Sequence, residues 1–219
     1  ASFRGGGVYL DETAATVQES TVYSNSAGGD GGGIFVLRSS EAKLNDLDIR
    51  YNVALSNGGG VAIYDSNLAL RNNRVISNSA ALHGGGLYLD KSVVGQSISL
   101  VAGNSAAAGA GLYLANGSDG EFFASAVIDN LSAGPGGGLV IEGSSPTFWQ
   151  TTIARNTGNE GVLIDKLGQR TSTAKFVNTI FAEQAVAIQI TAQNSGTLEG
   201  TLWHRVDSRI SDPALMYTG

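Results

Sequence analysis

The sequence predicts an all-β protein, a right-handed parallel β-helix of about eight coils, each of about 26 residues and three short strands. Three observations predict it. A glycine triplet leads into alternating apolar residues, a β-branched residue is followed three positions later by asparagine, and a third apolar column runs in phase with both. The chain reads as a single domain over residues 1–219, regular through residue 165 and irregular in its terminal coils and tail from 166 onward.

The glycine element comes first in each coil. Gly5-Gly6-Gly7 precedes Val8-Tyr9-Leu10, and the pattern returns at Gly31 to Val36, Gly58 to Ile63, Gly84 to Leu89, Gly109 to Leu114 and Gly136 to Ile141, with a degenerate copy at Gly161 to Ile164. The third glycines, at 7, 33, 60, 86, 111, 138 and 161, are spaced by 26, 27, 26, 25, 27 and 23 residues. With 31 glycines and only 3 prolines, this is a repeated backbone requirement and not a flexible linker. The triplet is expected to supply backbone angles that side chains forbid, and close approach between neighbouring coils.

The asparagine element follows. Val22/Asn25, Ile49/Asn52, Val75/Asn78, Val101/Asn104, Val127/Asn130 and Ile153/Asn156 give asparagine steps of 27, 26, 26, 26 and 26. Asparagine tolerates left-handed backbone geometry, and identical amides one strand spacing apart can bond in a ladder, so these six residues are expected to fix the corner before each glycine strand. The third column, five positions before the branched residue, holds Val17, Leu44, Leu70, Phe122 and Phe148 and is broken at Gln96. Inward residues then stack on their counterparts at a strand spacing of about 4.8 Å, and full burial of each is worth about 1.5–3 kcal/mol. A leucine-rich repeat has a similar period, but the tripled glycines, the Ser/Ala-rich corners and the lack of a helical half-repeat oppose it.

The paired motifs resemble the repeats of polymorphic outer-membrane proteins, bacterial surface passengers with Gly-Gly-Ala-aliphatic and Phe-x-x-Asn signatures. Here the matching positions read Gly58 to Val61, Gly84 to Leu87 and Val75 to Asn78, and the resemblance covers about residues 5 to 165. It implies a pectate-lyase-like β-helix displayed outside the cell or on its surface, and adhesion. Asn178-Thr179-Ile180-Phe181, Thr201-Leu202-Trp203 and Asp212-Pro213-Ala214-Leu215 look like the closing turns of large secreted bacterial β-helix proteins.

Composition bounds the partners. A net charge of −6, with 13 Lys and Arg scattered singly, opposes nucleic-acid or anionic-membrane binding, which need clustered cations. No apolar run approaches the roughly 20 residues of a transmembrane helix. An export signal removed before Ala1 is the expectation. With no cysteine, disulfides and thiolate metal sites are excluded.

No catalytic, cofactor or metal site is expected from the sequence. The acid patches of β-helix polygalacturonases are absent, and His83 before Gly84-Gly85 reads as a corner residue. Asp11, Asp90, Glu142 and Asp165 follow glycine strands, but Leu37, Tyr64 and Ala115 interrupt that column, so a Ca²⁺-dependent lyase site is not expected. Asp46 with Asp48, and Asp207 with Asp212, read as surface acids. Gly28-Gly29-Asp30-Gly31 occurs once and places its aspartate wrongly for a calcium-binding nonapeptide repeat.

One outward column stands out: Tyr9, Phe35, Tyr88, Tyr113, Val140 and Leu163, with Ala62 between, are expected to line one face as an interaction surface for a glycan or another protein. The plain alternative is that aromatics suit strands. Uncapped coils at both ends suggest a second copy of the chain as partner, stacked head to tail in a filament. The other reading of those ends is a piece of a longer β-helix. The function expected is therefore a non-catalytic extracellular structural or adhesive module. The alternative is a carbohydrate-binding or polysaccharide-degrading β-helix.

Overall fold

The structure, a computed structural model, describes residues 3–95, 100–211 and 216–217. Gln96 and the segment 212–215 lie outside the described residues. The chain winds as a parallel β-solenoid with no helix among the described residues, and so none long and apolar enough to cross a membrane.

Three stacks of strands carry the core. The glycine stack runs from Val8–Asp11 through Ile34–Leu37, Val61–Tyr64, Leu87–Asp90, Leu112–Ala115 and Leu139–Glu142 to Val162–Asp165. The second stack runs from Thr16–Gln18 to Met216–Tyr217 and holds nine strands. The asparagine stack runs from Thr21–Tyr23 through Thr152–Ala154. All pair in parallel and in register with the sequence columns, as in Val22↔Ile49 and Phe122↔Phe148. A fourth stack of two-residue strands, Ser26–Ala27 to Leu131–Ser132, turns the chain back toward the glycines in five coils. After residue 165 the coils change. Ile180–Ile190 and Leu202–Ser211 each run straight through that corner, and the first of them joins the glycine and asparagine stacks into one 15-stranded sheet.

Like sits on like inside. Leu44, Leu70, Phe122, Phe148 and Phe176 are all buried, and the rings of Phe122, Phe148 and Phe176 stack at 4.9 and 5.2 Å with planes within 15°. Offset stacking of this kind adds about 0.5–1.5 kcal/mol per pair beyond area burial. Phe181 and Trp203 continue the aromatic packing at 4.9 Å.

Many corners share one pattern. A strand ends, one residue takes a left-handed backbone, and the next buries a polar side chain, as Ser39 does after Arg38 and Asn52 after Tyr51, whereas Leu47 after Asp46 is apolar and Ser20 after Glu19 is exposed. In the asparagine stack the left-handed residues are Ser24, Tyr51, Ser77, Gly103, Asp129, Arg155 and Glu183, with φ between 52° and 62°. The asparagines come one position later. This corrects the expectation that asparagine itself takes the left-handed angle: its amide is needed in the interior, and the exposed residue before it makes the turn. Exposed corner side chains pair across coils, as Arg38 does with Glu12 at 2.7 Å and Arg155 with Asp129 at 2.7 Å.

Candidate functional site

The six asparagines form one directional ladder. Asn25 donates from its backbone N–H (2.9 Å) and its Nδ2 (3.0 Å) to Asn52 Oδ1. Asn52 does the same to Asn78, Asn78 to Asn104, Asn104 to Asn130 and Asn130 to Asn156, all at 2.9–3.1 Å. The other Nδ2 hydrogen points back a coil, from Asn78 to Ile49 O and from Asn104 to Val75 O. Gln184 takes the seventh rung: its Nε2 donates to Ile153 O at 3.3 Å, while its buried Oε1 has no hydrogen-bond partner.

The glycine triplet and the ladder are one device. At Gly60 an added Cβ would lie 2.7 Å from Gly86 O and 3.0 Å from Asn78 Nδ2, so the amide rests directly on the third glycine. The same amide contact recurs from Gly7 with Asn25 to Gly161 with Gln184. Where the ladder stops, so does the glycine. The next position in register beyond Gly161 is Ala187, and the residue after left-handed Arg205 is Val206.

A second ladder, missed by the sequence reading, turns the corner after the glycine strands. Ser39 N–H donates to Ser66 Oγ (2.9 Å), Ser66 to Ser92, Ser92 to Ser118, Ser118 to Ser144, and Ser144 to Ser172. Ser172 N–H donates to Asn194 Oδ1 at 2.7 Å. The signal was present as serines spaced by 27, 26, 26, 26 and 28 residues.

The outward aromatic column is in register as expected, Tyr9↔Phe35↔Ala62↔Tyr88↔Tyr113↔Val140↔Leu163. It is not an open face. Tyr9 is 49% exposed, but Phe35 is fully buried, Tyr88 is 8% and Tyr113 7% exposed, Val140 is buried and Leu163 half-buried. The rings cover one another: Tyr9 on Phe35, Phe35 on Tyr64, Tyr64 on Tyr88 and Tyr88 on Tyr113, all at 5.4–5.6 Å. The Arg4 guanidinium caps Phe35 at 5.1 Å, and the corner residue His83 lies 4.5 Å from Tyr113.

The nearby acids are tied into the same array. Tyr88 OH donates to Asp90 Oδ2 (3.3 Å), Tyr113 OH to Glu142 Oε2 (2.6 Å), and Asn116 Nδ2 to Asp90 Oδ2 (3.1 Å). Burial, reinforced by these carboxylates, pushes the Tyr88 and Tyr113 phenols up, and burial pushes the His83 imidazole down against the pull of Glu142. Asp30 accepts from Asn57 N–H at 3.0 Å, Asp46 from Asn72 at 2.6 Å, and Asp48 lies 3.4 Å from Arg50. Among the described residues no cluster of His, Cys, Asp or Glu could hold a metal ion.

Glu160 lies in a shortened coil, in which Leu139 pairs with Val162, 23 residues on. In earlier coils the first glycine N–H bonds a backbone carbonyl, as Gly58 does with His83 O at 2.9 Å. Gly136 N–H instead meets the buried Glu160 Oε1 at 2.7 Å, so a carboxylate replaces the carbonyl that the shortened loop cannot supply. Burial raises its pKa, partly offset by that bond.

In comparison with known proteins, the family model described as the right-handed beta helix region matches residues 6–201. No curated protein and no solved structure matches the chain.

Proposed function

Because the chain belongs to the right-handed β-helix family, we propose that it serves as a non-catalytic structural or adhesive module at the cell surface or outside the cell, stacking end to end as a filament subunit. One observation carries the reading: the polar side chains that recur coil after coil are bonded to the next coil, through buried amide and hydroxyl ladders that run across consecutive coils. Such a column resists bending and shear, which suits a spacer or scaffold. The resemblance to polymorphic outer-membrane protein repeats and the pectate-lyase-like group points to the same location and use.

Stacking is read instead from an open strand edge. Among the described residues the ten-residue strand Leu202–Ser211 pairs on one side only, with Ile180–Ile190, and such an edge is a template for a further strand. Electron microscopy of the purified protein tests this. Fibres with a subunit repeat of about 40 Å, eight coils at the strand spacing, are the expected result. Single short rods at every concentration would remove the filament. Depolymerisation of a polysaccharide that vanished on changing one carboxylate would overturn the non-catalytic reading.

A further inference from the structure

Tyr23 and Tyr51 stand apart from the buried aromatic array. They are 54% and 53% exposed, lie on neighbouring coils, and meet edge to face with ring centroids 5.6 Å apart and planes at 82°. Tyr23 ends the strand Thr21–Tyr23, and Tyr51 is the left-handed corner residue directly after Asp48–Arg50. Their spacing is imposed by the backbone. The two strands pair Val22↔Ile49 and Tyr23↔Arg50, Ser24 N–H bonds Arg50 O at 3.1 Å, and the Asn25–Asn52 rung lies immediately behind. The edge-to-face arrangement turns the edge of one ring, where its reactive carbons lie, toward the other.

Other close tyrosine pairs differ in access. Tyr64–Tyr88 and Tyr88–Tyr113 are as near, at 5.4 and 5.6 Å, but Tyr88 and Tyr113 are buried and their phenols are bonded to Asp90 and Glu142. A diffusing oxidant reaches the exposed pair first.

We propose that Tyr23 and Tyr51 form an oxidative modification site, coupled into an intrachain dityrosine by hydrogen peroxide acting through a one-electron haem peroxidase. Each phenol gives up one electron and one proton to become a phenoxyl radical. The two radicals join through the carbons ortho to oxygen, forming one carbon–carbon bond, and the ring hydrogens move to the oxygens as the rings regain aromaticity. The two electrons and two protons reduce one peroxide to two waters. Radicals held this close couple far faster than radicals on separate molecules, for the reason that any oriented intramolecular reaction is favoured. The product is a covalent tie between coils in a chain that has no cysteine for a disulfide. It is independent of the filament reading.

The test treats the purified full chain with a haem peroxidase and peroxide, and follows dityrosine fluorescence, gel mass and linked peptides. The expected product runs as a monomer, has lost two hydrogens, and joins the peptide of Tyr23 to that of Tyr51, with a yield per chain independent of protein concentration. Tyr23→Phe and Tyr51→Phe, which keep the exposed rings, each lower the monomeric yield by at least about tenfold, as expected when the intramolecular partner is lost. Tyr88→Phe leaves it unchanged. A link mapped to Tyr88 and Tyr113, a yield unaffected by either exposed substitution, or cross-linking only between chains would each overturn the proposal.

Discussion

An asparagine amide between two coils offers two hydrogens and one carbonyl oxygen, and at the interior rungs, such as Asn78 and Asn104, all three are used. Its oxygen takes two donors from the coil before, and its hydrogens serve the coils on both sides. That demand made the asparagine column legible, since no other side chain meets it at that length. Gln184 shows the cost of one extra methylene: it reaches Ile153 O but leaves its own oxygen unbonded. The left-handed residue before each rung was illegible for a converse reason. Ser24, Tyr51, Asp129 and Arg155 share no chemistry because their side chains face outward, and the stack imposes their backbone angle. Glu160 was equally hidden, a lone acid whose role comes from a loop too short to bring a carbonyl to Gly136. Because its pKa is raised in the folded state, the folded protein holds that proton more tightly than the unfolded chain does. The stabilising contribution is therefore complete below the ordinary carboxyl range, about pH 4, and is lost as pH rises through the raised value. Glu160→Gln keeps an acceptor for Gly136. Its thermal midpoint is expected to match the wild type in acid and to exceed it increasingly toward neutral pH; a difference that does not vary with pH would refute this role.

At the scale of the element, the glycine triplet divides into positions with different reasons. The first takes a left-handed angle, as at Gly58 with φ of 65°. The second faces the backbone of the next coil, yet Ala110 fills it in one coil and is buried. The third carries the amide and stays glycine through seven coils until the ladder ends. Sequence spacing located the triplet, but the contact that joins it to the asparagine eighteen or nineteen residues later exists only in the folded coil. Gly60→Ala is expected to destabilise the protein by about 1–3 kcal/mol in urea unfolding, the usual range for overpacking. Gly95 ends the strand Val93–Gly95 and has nothing within 4 Å of where a Cβ would stand. Gly95→Ala is expected to stabilise by about 0.4–1 kcal/mol, chiefly by restricting the unfolded chain. Equal effects at the two sites would show that the third glycine is not a packing requirement.

For the whole molecule, the period, the three columns and the parallel stacking were readable in the sequence, because each coil repeats the same physical need. The aromatic face was readable only in part. Alternation gave the direction of Tyr9, Phe35, Tyr88 and Tyr113, but their burial comes from rings one coil away and from Arg4 and His83 outside the strand. Aromatic surface instead remains open at Tyr23 and Tyr51, in a different stack. The serine ladder was present at the right spacing and went unread, because serine is common and small, and the bonds that join Ser66, Ser92 and Ser118 across coils exist only in the fold. The molecule that results is a polar-laced column in which each coil is bonded to the next in one fixed direction.

That direction can be measured. Asn78 N–H donates to Asn104 Oδ1, whereas Asn104 N–H donates to Asn130 Oδ1. Amide hydrogen exchange followed by NMR in the wild type and in Asn104→Ala separates the two. The ladder predicts that in the variant the amide of residue 78 loses most of its protection while that of residue 104 stays slow. If residue 78 remains as protected as before, or if residue 104 loses protection in its place, the ladder does not hold the coils together.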